Sequence, residues 1–178
     1  RTKVKKYQVL IQEKTFDDPI ASELADFLKG QQNIIGELVG RAESCVTALQ
    51  TQSNSFVLCH ADLHAGNVFI THDNLYIVDW DTMILAPKER DLMYAGGGQF
   101  MNKRSPKQEE TLFYQGYGQT QIDPIALAYY RYERIVQDIA EYCEHVLLND
   151  NNSEDRQFGA RQMMSQFQPD SVIDIAFK

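Results

Sequence analysis

A chain of 178 residues that is 43% hydrophobic can bury one sizeable core, enough for one domain with at most an appendage. A formal net charge of −8 leaves no Lys/Arg stripe to displace counterions from a phosphate backbone, which argues against nucleic acid as a partner and suits a cationic small molecule. No apolar run reaches bilayer-spanning length. Cys45, Cys59 and Cys143 form no CxxC pair and follow no signal-peptide pattern, so they read as reduced thiols of a cytoplasmic protein.

In chain order, Asp17-Asp18-Pro19 is a helix start, with acids at the positive dipole end and Pro in the first turn, leading into IASELADFL. After Gly30, Ile34, Ile35, Leu38, Ala42, Cys45, Val46 and Leu49 recur at three and four, predicting a second amphipathic helix to about Thr51. The period then changes. FVLCH reads as a short buried strand and NVFIT as another, with His72-Asp73-Asn74 as a tight turn and LYIVDW as the strand that pairs with NVFIT. Lys88 to Ala95 reads as a short helix closed by Gly96-Gly97-Gly98, and Glu109 to Tyr117 as another. A longer helix opens at Asp123-Pro124, with Ile125, Ala128, Tyr132, Ile135, Ile139, Tyr142 and Val146 as its buried stripe. Its other face carries Glu133, Arg134, Asp138, Glu141 and Glu144 and reads as solvated; LNDNNSED reads as a loop before two short helices. The fold class is mainly α with a small β-hairpin region.

Chemistry concentrates between His60 and Asp81. FVLCHADLHAGNVFI carries H-x-D-x-x-x-x-N as His60, Asp62 and Asn67, and the paired strand delivers Asp79 in IVDWD. Strand, turn and strand bring Asn67 and Asp79 to the same end of the hairpin. An amide oxygen beside a carboxylate suits Mg²⁺, which takes a few protein oxygens and completes its octahedron with water and phosphate. Asp62 can then face the space in front of the metal and accept a proton from a hydroxyl attacking phosphorus. His64 reads more simply as a loop cap, and Cys59 as buried apolar filler. Asp81 is open between a strand-end cap and a ligand for metal or a cationic substrate.

HADLHAGN followed by YIVDW resembles the catalytic loop and metal-binding motif of the aminoglycoside phosphotransferase and choline kinase superfamily, itself similar to the protein kinases. IVDWDTMILAPKERDLMY is most similar to the spectinomycin-phosphotransferase branch. The resemblance covers about Asp17 to Leu148. It implies Asp62 as catalytic base, Asn67 and Asp79 as magnesium ligands, ATP as phosphoryl donor, His60 as a prop bonding to the backbone around Asp79, and Asp91 as the helix aspartate that holds the catalytic-loop backbone. Ala61 stands where protein kinases carry the Arg of their HRD motif, so activation by phosphorylation is not expected. Such enzymes also carry a phosphate-covering loop and a strand Lys in an N-terminal lobe. No counterpart precedes Gly30, so residues 1–178 read as the C-terminal, catalytic and substrate-binding lobe alone, a poor catalyst by itself. The expected acceptor is an amine-bearing small molecule of the aminoglycoside or spectinomycin type, with Asp81, Glu133 and Asp138 as candidates to meet its amines. Choline, homoserine or amino-sugar acceptors remain open. So do two other classes: a metallohydrolase with His60, Asp62 and His64 on zinc, and a non-catalytic binding lobe.

Overall fold

A computed structural model describes residues 1–52, 55–97, 104–149 and 154–178. Helices dominate: α1 (Thr2–Glu13), α2 (Pro19–Gly30), α3 (Gln32–Leu49), α4 (Glu89–Leu92), α5 (Pro106–Tyr117), α6 (Pro124–Leu147), α7 (Glu154–Ser165) and α8 (Val172–Phe177). Four three-residue strands lie between α3 and α4: β1 (Val57–Cys59), β2 (Val68–Ile70), β3 (Leu75–Ile77) and β4 (Ile84–Ala86). This is the α+β class the sequence predicts. The chain divides into two units, one of residues 1–43 and 132–177, the other of residues 44–131 with Lys178.

The first unit is all helix. Asp18 caps α2 by accepting from the Ala21 amide at 2.8 Å, with Pro19 at the first helical position, as the Asp-Asp-Pro signal requires. Its side chain also pairs with Arg156 of α7, which is fully buried and donates from Nε and Nη2 to the Val146 carbonyl at 2.9 and 2.8 Å. One guanidinium thereby joins the start of α2 to a carbonyl in the last turn of α6. Helix α1 lies outside the sequence expectations. Its Lys-rich sequence starts with no side-chain cap, yet Val4, Tyr7 and Ile11, at spacing three and four, are buried.

The α6 stripe is shifted from the expected one. Tyr132, Ile135, Ile139 and Val146 are buried as expected, whereas Ile125, Ala128 and Tyr142 are half-buried, and Ala126, Val136, Ala140 and Cys143 take their places. The acidic face is not simply solvated: Glu133, Arg134 and Asp138 are half-buried, and only Glu141 and Glu144 are exposed.

In the second unit β2 and β3 form the predicted hairpin, in register Val68↔Ile77 and Ile70↔Leu75, closed where the Thr71 amide donates to the Asn74 carbonyl at 2.8 Å. FVLCH does not pair with that hairpin. Its strand β1 runs antiparallel to β4, with Val57↔Ala86 and Cys59↔Ile84, a pairing that the sequence analysis did not anticipate. Nor is it a buried strand: Phe56, Val57 and Leu58 are exposed, and of that run only Cys59 and His60 are buried. Phe69, Ile70, Leu75, Tyr76, Trp80, Met83 and Leu85 are exposed as well, an apolar surface far larger than a lone ribbon needs. Helix α4 is shorter than expected. It gives way at Met93 to turns, in which Gly96 adopts φ +67° and a Cβ at Gly97 would run into the Met93 carbonyl. Helix α5 begins three residues before expectation, at a capping box in which Ser105 and Gln108 satisfy each other's backbone amides. Gly98 and residues 150–153 of the expected LNDNNSED loop lie outside the described residues.

Candidate active site

The site is built where β1 ends. His60 and Ala61 follow it, and Ala61 takes a left-handed φ of +68°, a conformation that costs a residue with a Cβ roughly 1–2 kcal/mol. The Asp91 carboxylate holds the loop in place. Its Oδ2 accepts from the His60 amide and its Oδ1 from the Ala61 amide, both at 2.8 Å. Two successive backbone N–H groups aimed at one carboxylate are charge-assisted bonds, strong enough to offset that strain.

His60 is buried, and both of its ring nitrogens are used. The Asp62 amide donates to Nδ1 at 3.3 Å, so the proton resides on Nε2, which donates to the Val78 carbonyl at 2.8 Å. The ring also packs on Trp80 at 4.7 Å between centroids, and Thr82 Oγ1 donates to the His60 carbonyl at 3.0 Å. The imidazole thus ties the loop to the strand that leads into Asp79.

The following turn orients Asn67. The Gly66 amide donates to His64 Nδ1 at 3.0 Å, so His64 caps the short 3₁₀ turn Ala65–Asn67, and a Cβ on Gly66 would strike the His64 ring. Asn67 is buried and donates from Nδ2 to the Asp62 carbonyl at 2.9 Å. Its amide oxygen is therefore the end left for a cation. The Val78 amide donates to the Asn67 carbonyl at 3.0 Å, which sets Asn67 opposite Val78 and next to Asp79. Asp79 has φ +62°, the second left-handed non-glycine at the site. Among the described residues, the exposed carboxylates of Asp79 and Asp81 have no hydrogen-bond or ion-pair partner. A buried amide oxygen and a free carboxylate are the hard, sparse donor set that magnesium accepts.

Asp62 itself is partly exposed, at 23% of its side chain. The Tyr94 hydroxyl donates to Oδ1 at 3.1 Å, and His64 Nε2 stands 3.6 Å from Oδ2. Tyr94 was absent from the sequence reading, although it lies only three residues beyond Asp91 in KERDLMY.

Zinc chemistry at His60, Asp62 and His64 does not fit this geometry. His60 has no nitrogen left to give, and among the described residues no cluster of three or more His, Cys, Asp or Glu side chains can hold a metal ion. Glu133 and Asp138 belong to the other unit, where Arg1 lies 3.9 Å from Glu133 and Arg134 lies 2.8 Å from Asp138.

A family model described as the phosphotransferase enzyme family matches residues 11–131. The chain belongs to this phosphotransferase family. Among solved structures it is similar to spectinomycin phosphotransferase APH(9)-Ia in complex with ADP and spectinomycin, at 36% identity and TM-score 0.86. It is also similar to the AMP-bound complex of that enzyme, at 38% identity and TM-score 0.84. Each of these alignments covers 99% of this chain and 54% of the other, so this phosphotransferase-family chain spans about half the length of those relatives. A choline/ethanolamine kinase family protein from Mesorhizobium loti shares the fold at 18% identity and TM-score 0.50, over 98% of this chain and 64% of that one. No curated protein matches. No helix among the described residues is long and apolar enough to cross a membrane.

Proposed function

We propose that this chain is the catalytic and acceptor-binding lobe of a two-lobed small-molecule phosphotransferase that moves the γ-phosphoryl group of ATP to a hydroxyl of an amine-bearing acceptor. The observation that carries this reading is the loop held by Asp91, in which the Asn67 side chain bonds to the Asp62 backbone carbonyl and the Asn67 carbonyl accepts from Val78, the neighbour of Asp79. Asp62 receives the acceptor proton as the new O–P bond forms and the bond from γ-phosphorus to the departing ADP oxygen breaks. Because the transition state is loose, that proton moves late, and orientation of the acceptor matters more than basicity. Asn67 and Asp79 would hold magnesium, whose charge would neutralise phosphate oxygens when it is bound.

The half of the longer relatives that this chain does not span is the natural source of the phosphate-covering loop and its Lys. The exposed apolar surface around Phe69, Tyr76 and Trp80 supports docking of that half and of the nucleotide base there. The acceptor class rests on two observations: the net charge of −8 and the spectinomycin bound by a relative of 36% identity. Asp81, exposed and unpaired two residues beyond Asp79, is the acid best available to an acceptor amine.

The test is turnover of ATP by the protein with its nucleotide-binding half, against spectinomycin, aminoglycosides and choline. Asp62→Asn is expected to lower turnover by roughly a hundredfold or more while ADP still binds, and Asp79→Ala to abolish magnesium-dependent nucleotide binding. Near-normal turnover by Asp62→Asn removes Asp62 from the mechanism. Turnover confined to choline replaces the acceptor assignment.

A further inference from the structure

We propose that Tyr94 is a positioning residue for the transfer: its hydroxyl holds Oδ1 of Asp62, so that Oδ2 is the oxygen that meets the acceptor hydroxyl. This rests on Asp62 being the proton acceptor. Tyr94 is 1% exposed, and its hydroxyl reaches Oδ1 at 3.1 Å. It stands three residues after Asp91, whose carboxylate takes the amides of His60 and Ala61, so a single turn of chain grips three successive residues of the loop.

That turn is itself held. Arg131 donates from Nε to the Met93 carbonyl at 3.2 Å and from Nη2 to the Ala95 carbonyl at 2.9 Å, bracketing Tyr94 on both sides. A phenylalanine would fill the same volume. What the hydroxyl adds is a bond to a carboxylate that is partly open to water and so needs no protein donor for its own solvation.

The consequence is geometric. A carboxylate with two equivalent oxygens can present either one, and a fixed donor on Oδ1 removes that rotation. The acceptor O–H then donates to Oδ2, its proton passes there as the O–P bond forms, and Tyr94 keeps its own proton throughout.

The experiment is steady-state kinetics, with kcat separated from KM, for Tyr94→Phe beside Asp62→Asn, in the protein with its nucleotide-binding half. For Tyr94→Phe, kcat is expected to fall about tenfold with KM for ATP within about twofold of wild type. An unchanged kcat overturns the proposal, as does a loss confined to KM for ATP. If Tyr94→Phe does not fold, 3-fluorotyrosine at position 94, which keeps the hydroxyl donor, is expected to hold kcat within about twofold of wild type, and a tenfold loss overturns it. Near-normal turnover by Asp62→Asn, by contrast, refutes the base assignment itself, whatever Tyr94→Phe does.

Discussion

Replacing Asp91 by Ala removes the carboxylate that accepts from two neighbouring amides, and the cost can be worked from the geometry. Each bond is 2.8 Å long and charge-assisted, worth roughly 1.5–3 kcal/mol, so the pair contributes about 3–6 kcal/mol gross. Once released, Ala61 can leave its left-handed conformation and recover roughly 1–2 kcal/mol. The expected net loss is therefore about 2–4 kcal/mol, read by urea unfolding followed by circular dichroism. Hydrogen exchange supplies the local signature, since the His60 and Ala61 amides should lose protection ahead of the strand amides. Asp91→Asn should fall between, because its amide keeps one acceptor oxygen but turns an N–H₂ group toward the second donor. Ala61→Gly should stabilise by up to about 1 kcal/mol in the wild-type background, since glycine relieves the strain. A destabilisation by Asp91→Ala below about 0.5 kcal/mol, with both amides still protected, would refute the clamp.

Arg156→Met should cost roughly 3 kcal/mol, because it strips the Val146 carbonyl of two buried donors and leaves Asp18 without its cation. The bond from Arg156, followed by that from the Ala21 amide, holds the Asp18 carboxyl below its usual range. That stabilisation is present above the unfolded-state value and disappears as pH falls through the folded one. Urea midpoints measured from about pH 6 down to pH 2 should therefore drop less steeply below about pH 4 in Arg156→Met than in wild type, and parallel curves would sink the assignment. Burial pushes the Cys59 thiol up to about 11 and that of Cys143 to about 12, and Cys59 Sγ also donates to the Pro87 carbonyl at 3.5 Å. At pH 8 iodoacetamide should label half-buried Cys45 first in the native protein, with Cys59 and Cys143 reacting only on unfolding; early labelling of Cys59 by mass spectrometry would contradict its burial.

What could be read along the chain is what local physics writes there. The start of α2 is an Asp-Pro signal whose cap bond spans three residues, and the β2–β3 hairpin is fixed by alternation and a turn between Ile70 and Leu75. The spacing of His60, Asp62 and Asn67 lies within one short loop, and the hairpin register carries Asp79 to it, so the candidate site was legible as a list of residues. The order in which they are held was not. The pairing of β1 with β4 joins Cys59 to Ile84, the grip of Asp91 joins positions 30 and 31 residues apart, and Tyr94 reaches Asp62 across 32. Arg156 finds Asp18 across 138. Helix α1 declares itself only by burying Val4, Tyr7 and Ile11, because its Lys-rich face hides the stripe and no cap marks its start. Burial on α6 turned on which positions met other elements, which the 3.6-residue period narrows to a face without choosing its exact edge. Windows of three to seven residues encode caps, turns and periodicity. A hydrogen bond between distant residues has no such window, since its partners are chosen by where the packed elements happen to bring a donor within 3 Å of an acceptor.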